Sequence, residues 1–99
     1  MTAASDEEGV RLGDMLVEER LAACVQILPA IQSIYRWQGS IERSSEVLLI
    51  AKTETDKFVD LERRVRAMHS YETPEIVAVP VTAISEPYRK WLSASIDSE

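Results

Sequence analysis

The chain alternates between apolar stretches at helical spacing and apolar stretches at strand spacing. Leu12, Met15, Leu16 and Val17 cluster at helical spacing, and the run continues through Leu21 to Ala23. Ser5-Asp6-Glu7-Glu8 ahead of them has the form of a capping box. In such a box Ser5 accepts from the backbone N–H three residues on, and Glu8 reaches back to the cap's own N–H. Asp6, Glu7 and Glu8 also sit where the helix dipole is positive. Gly9 and Gly13 each weaken this helix by ~1 kcal/mol against Ala. Lying four apart on one face, they are expected to admit another part of the chain closely.

Strand spacing follows. Cys24-Val25-Gln26-Ile27-Leu28 reads as a buried strand broken at Pro29, which cannot donate to a central ladder. From Ile31 to Trp37 the strand resumes, with Tyr35 and Trp37 on one side and Ile34 and Arg36 on the other. Gln38-Gly39-Ser40 predicts a turn, and Ile41 begins the return arm of a hairpin. Its centre, Val47-Leu48-Leu49-Ile50-Ala51, is apolar on both faces, as in a strand covered on both sides.

A second helix is predicted from Thr53 or Thr55 to Met68 or His69. Phe58, Leu61, Val65 and Met68 form its apolar stripe, opposite Asp60, Glu62, Arg63, Arg64 and Arg66. Asp60–Arg64 and Glu62–Arg66 are i,i+4 pairs of ~0.2–0.5 kcal/mol each. Glu75 to Val81 predicts a further strand, ended or kinked at Pro80. Glu86-Pro87 opens a last short helix, with Tyr88, Trp91 and Leu92 on one face. This order of elements defines an α+β class and a split βαβ, ferredoxin-like sandwich, with helices on one face of an antiparallel sheet. The expected first strand is truncated, since only Met1 to Ala4 precede the cap.

At 99 residues the chain fits one domain, 1–99, with a small core for which association with further copies would be a natural source of stability. Its net charge of −6 is peripheral: residues 1–20 contribute −4, and nine acids balance nine bases between 21 and 96. No basic stripe exists for a nucleic-acid backbone or an anionic membrane, so neither is expected as a partner. Apolar runs fall short of the ~20 residues of a membrane span, and the acidic N-terminus lacks signal-peptide features. With one cysteine, Cys24, these observations lead us to expect a cytoplasmic protein.

Chemistry is sparse. The only imidazole is His69, and Cys24 lies in an apolar strand where a thiol is usually inert packing, so a Cys24–His69 catalytic dyad ranks last. Three separate glycines make no phosphate loop. Cys24, His69, Glu72 and Glu75 compose a loose donor set suited to Cu or Zn; equally, His69 suits the C-terminus of a helix. Five of six aromatics sit in the hairpin, the His69 loop and the terminal helix. Tyr and Trp favour rims and interfaces, so they point to clefts between subunits.

Three motifs carry a resemblance. Glu18-Glu19-Arg20-Leu21-Ala22-Ala23-Cys24-Val25, Ser33-Ile34-Tyr35-Arg36-Trp37-Gln38-Gly39 and His69-Ser70-Tyr71-Glu72-Thr73-Pro74-Glu75-Ile76 resemble the CutA divalent-cation tolerance family. Glu46 to Thr53 lies between the second and third, and the likeness runs from about Thr2 to Leu92. It implies a ferredoxin-like homotrimer related in architecture to PII-type signalling proteins, no enzymatic activity, and a part in tolerance of copper or another divalent cation. The histidine that opens the family's His-Pro-Tyr-Glu motif falls on His69, followed here by Ser70 in place of proline; the family's second-strand cysteine falls on Cys24.

The expected metal ligands are therefore His69, Glu72 and Cys24. Trp37, Lys52, Tyr71, Tyr88 and Trp91 are expected to line a ligand cleft between subunits. The alternative is a PII-like trimer that senses a small anion or nucleotide through Arg36 and Lys52 and docks on a protein partner.

Overall fold

The computed structural model describes residues 1–97. Its elements are β1 (Thr2–Ala3), α1 (Asp6–Glu18), β2 (Cys24–Trp37), β3 (Ser40–Lys52), α2 (Phe58–Met68, entered through a 3-10 turn at Thr55–Lys57) and α3 (Glu86–Ile96). Among the described residues the strands form one antiparallel sheet in the order β1-β3-β2. The α+β class and the antiparallel sheet agree with the sequence expectation, and β1 has only two residues.

α1 begins as its sequence predicts, with the Ser5 hydroxyl accepting from the Glu8 N–H at 3.1 Å. The other half of the box differs: Glu8 Oε1 takes the Ala4 N–H at 2.9 Å. The helix also stops at Glu18, short of the expected Ala23. Arg20 turns left-handed at φ 58, and Leu21 N–H returns to the Leu16 carbonyl at 2.9 Å while Arg20 N–H returns to Val17 at 3.1 Å. That is a Schellman ending without its usual glycine. Arg20 has a second duty here, because its guanidinium donates to the Ser95 and Asp97 carbonyls at 3.2 and 3.1 Å and so caps α3.

The hairpin is longer and more continuous than predicted. Pro29 does not end β2; it sits in a bulge where Leu28 pairs with Leu48 and Ile31 with Glu46. Two residues, Pro29 and Ala30, thus oppose one, Val47, and Ala30 takes φ 60. The extra residue reverses the alternation. Before it, Val25 and Ile27 face α1, against Gly13 and Gly9. After it, Ile31, Ser33, Tyr35 and Trp37 share a face with their partners Glu46, Ser44, Glu42 and Ser40, away from the helices. Gln38 and Gly39, at φ 50 and 83, close the hairpin in a two-residue turn.

The main core joins α1, α2 and the base of the sheet: Leu12, Leu16, Leu49 and Val65 are almost fully buried, with Val47 and Leu61 beside them. Gly9 permits this contact, since a Cβ there would stand 3.2 Å from Val47 Cγ2. Outside the core, Arg64 forks onto the Glu19 carboxylate at 2.8 Å for both bonds, so the expected Asp60–Arg64 pair is replaced by Asp60–Arg63, whereas Glu62–Arg66 forms at 3.0 Å. α3 runs to eleven residues and packs Leu92 and Ile96 on Ala23.

Residues 75–81, expected as a strand, form none in the single chain. Val77, Val79 and Val81 are 67–78% exposed. A strand needs a partner for its N–H and C=O groups, and in the single chain residues 75–81 pair with neither outer edge of the sheet, β1 or β2.

Candidate functional site

Two buried acids organise the region around the end of α2. Glu8 is 3% exposed. Besides Ala4, it receives the Ser70 N–H on Oε2 at 2.7 Å and the Ser70 hydroxyl on Oε1 at 3.1 Å. Burial alone would raise its pKa. The donors from Ala4 and Ser70, with His69 nearby, outweigh burial and hold the carboxyl below its ordinary value. One carboxylate thereby ties the start of α1 to the loop that follows α2.

His69 lies inside this knot, with no side-chain exposure. Its backbone N–H closes α2 onto Val65 at 2.8 Å. Nε2 meets the Thr2 carbonyl at 2.8 Å, and Nδ1 accepts from the Tyr71 N–H at 3.0 Å. Those partners make Nε2 the donor to Thr2 and Nδ1 the acceptor from Tyr71. Both ring nitrogens are therefore engaged within the chain in this arrangement. The ring serves to join β1 to the loop and to set the course of Tyr71, whose ring lies 4.7 Å away.

Tyr71 donates its hydroxyl to Glu46 Oε2 at 2.6 Å. Burial, then the Glu46 bond and the Glu46 and Glu8 charges, push its pKa well above the ordinary phenol range. Glu46 is itself 8% exposed, and no partner stands against its second oxygen among the described residues. This pair forms the floor of a cleft of about 590 Å³. One wall is the distal hairpin, with Ser33, Ile34, Tyr35 and Trp37; the other is the loop, with Glu72, Thr73 and Glu75. Three carboxylates line it and neither lysine nor arginine does.

The structure divides the sequence-predicted site residues into two groups. Glu72, Trp37 and Tyr71 line the cleft. Cys24 and Lys52 pair with each other at the base of the hairpin, four residues along β3 from the Leu48 partner of Thr2. Lys52 bonds the Gln26 side chain there, and α3 brings Tyr88 against the Ala23 cluster, with Trp91 beside it at a ring separation of 5.4 Å. Within one chain, then, Cys24, Lys52, Tyr88 and Trp91 stand outside the cleft, and no group of three His, Cys, Asp or Glu side chains among the described residues is arranged to hold a metal. Sequence reasoning missed Glu46 and treated Glu8 only as a cap. A charged residue abutting the apolar run Val47–Ala51 was the available signal for Glu46.

Fold and cleft together define a small α+β protein with an aromatic, anionic cleft beside an open hairpin. The CutA1 divalent ion tolerance protein family profile matches residues 1–95. The divalent-cation tolerance protein CutA of Thermus thermophilus is 48% identical over 92 residues, covering 93% of this chain and 89% of that one. A solved structure of the Thermus thermophilus protein superposes with a TM-score of 0.90, covering 92% and 88% of the two chains. A structure of periplasmic CutA from Archaeoglobus fulgidus gives a TM-score of 0.95 at 41% identity, over 97% and 93% of the chains. A chloroplastic CutA from Arabidopsis thaliana is 42% identical over 96% of this chain, which spans 52% of that protein's length. The chain belongs to the CutA1 divalent ion tolerance family.

Proposed function

We propose that this chain is a non-enzymatic homotrimer in the cytoplasm that contributes to divalent-cation tolerance by holding a cation, copper or another divalent metal, in clefts between subunits. The observation that carries the reading is the cleft itself: Glu46, Glu72 and Glu75 line it without a basic residue. Such a charge distribution concentrates cations. Within one chain neither Arg36 nor Lys52, which the anion-sensing reading needs, lines the cleft. Glu72 is the proposed ligand on the loop, His69 positions that loop from behind, and Cys24 belongs to the opposite end of the hairpin.

Assembly follows from what one chain leaves open. Leu28 and Ile50 are each 43% exposed on the helix-free face of the sheet, and Ile34 and Ile41 are each 61% exposed on the arm. Residues 75–81 offer an extended, valine-rich segment that strand addition from another copy would complete, giving the ferredoxin-like sheet its last strand. A cyclic trimer would also set the arm of one copy against the base of the next, reuniting Trp37 and Tyr71 with Cys24, Lys52, Tyr88 and Trp91. As one 1–99 domain per subunit, such a trimer would gain the burial that a small core lacks.

Sedimentation velocity at micromolar concentration tests the assembly, and a monomer there overturns it. Calorimetric titration of Cu(II) and Zn(II) into wild type and Glu72→Gln tests the ligand. An affinity loss of about tenfold or more is expected, by comparison with the loss of one ligand-supporting group. Unchanged binding removes the cleft from the proposal.

A further inference from the structure

Ser70 stands where the family's motif carries proline, and the structure gives it a task that proline cannot perform. Its backbone N–H donates to Glu8 Oε2 at 2.7 Å, and its hydroxyl donates to Glu8 Oε1 at 3.1 Å. A proline has neither donor. Both bonds end on a carboxylate, the stronger kind of acceptor, and that carboxylate is buried away from competing water. Glu8 is itself held in place, because it lies in the first turn of α1 and takes the Ala4 N–H at 2.9 Å. The residues after Ser70 form the loop wall of the cleft. Tyr71, Glu72 and Thr73 line it, whereas Glu8 and Ser70 stand behind it. Tyr71 is pinned at both ends, by its N–H on His69 Nδ1 and its hydroxyl on Glu46. Glu72 is exposed and takes its course from the backbone just before it. A wall that is already ordered binds a ligand more tightly than one that must be ordered on binding.

We propose that Glu8 and Ser70 form a latch that fixes the loop wall of the cleft, so that both are positioning residues for the cation site. With the latch closed, Tyr71 and Glu72 are in place before a cation arrives. In this chain two hydrogen bonds to Glu8 thus do what ring stiffness does where proline follows the histidine. The inference rests on the reading of Glu72 as a ligand and adds the residues that set its affinity. His69 holds φ −73 and ψ 143, the region that a following proline favours. Ser70→Pro therefore removes both donors without straining the backbone of His69, which makes it the sharpest test.

Zn(II) calorimetry on the full-length, assembled protein, beside hydrogen exchange of the Tyr71 and Leu16 amides, tests the latch. Ser70→Pro and Glu8→Gln should each weaken Zn(II) about tenfold, the scale of losing one outer partner of a ligand. Ser70→Ala keeps the N–H bond and should lose about threefold, while Ser70→Thr keeps both donors and should match wild type. In Ser70→Pro, Ser70→Ala and Glu8→Gln the Tyr71 amide should exchange faster by a larger factor than the core amide of Leu16. A loss of global stability alone would quicken the two amides alike, and that result overturns the latch. Where Glu72→Gln weakens Zn(II) and Ser70→Pro does not, the inference falls and the proposed function stands. Where Glu72→Gln changes nothing, the proposed function loses its ligand, and selective quickening of Tyr71 then supports the latch as its absence removes it.

Discussion

The two strands of the hairpin are paired on both sides of the Pro29-Ala30 bulge, yet its base and its arm are different environments. At the base, Val47 and Leu49 are 4% and 1% exposed under α1. In the arm, Ile34, Trp37 and Ile41 are 50–61% exposed. Sheet hydrogen bonding is the same in both halves, so it is helix cover that separates them. The bulge at Pro29-Ala30 marks the border, because it carries the odd-numbered residues of β2 from the helix-facing side to the other. Apolar residues therefore make a core in one half and an unclaimed surface in the other. The cleft opens along that border, with its floor at Glu46, where β3 leaves the cover of α1.

The contrast can be broken most forcefully at Leu16, whose side chain has no exposure. Leu16→Ala should lower stability by ~2–5 kcal/mol, seen in urea unfolding at any protein concentration. Next comes Glu8→Gln, expected to cost ~1–3 kcal/mol because the buried donors of Ser70 and Ala4 lose their anionic acceptor. The folded pKa of Glu8 lies below the 4.5 of a free carboxyl. Its stabilisation is therefore present above that value and lost as pH falls through the folded pKa. Stability measured from pH 7 to pH 2 should show a shallower acid limb in Glu8→Gln.

Smaller effects sharpen the picture. Gly9→Ala places a methyl 3.2 Å from Val47, whereas at Gly13 the nearest atom is 3.4 Å away. The first should destabilise by ~1 kcal/mol despite its better helix propensity, and the second should gain ~0.5 kcal/mol. Thermal unfolding of the two variants side by side checks the opposite signs. At the border, Ala30 holds φ 60, so Ala30→Gly relieves a cost of ~1–2 kcal/mol and adds back ~0.5–1 in chain entropy. A net gain of ~0.5 kcal/mol, read from the urea midpoint, is expected. Ile41→Ser, out on the arm, should change single-chain stability by less than ~0.5 kcal/mol and reduce only its dependence on protein concentration. A concentration-independent loss comparable to Leu16→Ala would mean that the arm is covered within one chain.

Much of the fold was legible because it is governed by local rules. Ser5 capped its helix where expected, the α2 stripe of Leu61 and Val65 entered the core, and Pro87 opened α3. The failures have distinct causes. Leu21–Ala23 continued the apolar run, yet Arg20 ended the helix left-handed in a position where its side chain could cap α3, 75 residues away. Pro29 was absorbed into a bulge, and a bulge leaves no mark in alternation until the partner strand is known. The strand expected at 75–81 has the right residues, but within the single chain it pairs with neither outer edge of the sheet, and β1 beside it is only two residues long.

The site was legible only in part for the same reason. Trp37, Tyr71 and Glu72 met in one cleft, and Glu75 of the loose donor set joined them. His69 stands out in the sequence as the lone imidazole, but its ring meets Thr2 and Tyr71, one remote in the chain and one close by. Tyr71 stands out in the sequence only as a cleft aromatic, and nothing there marks Thr2 as the partner of the ring.

The sequence by itself determined the α+β class, the positions of the helices and hairpin, the lone histidine after α2 and the family to which the chain belongs. Those follow from spacing, caps, turns and motifs, all of which act over a few residues. Only the tertiary structure decided that Glu8 and Glu46 are the buried acids of the site, that His69 is a joint within it, and that the cleft is anionic and aromatic. Burial and hydrogen-bond partnership belong to pairs of residues distant in the chain, and they exist only once the sheet, its bulge and the helices have brought those pairs together.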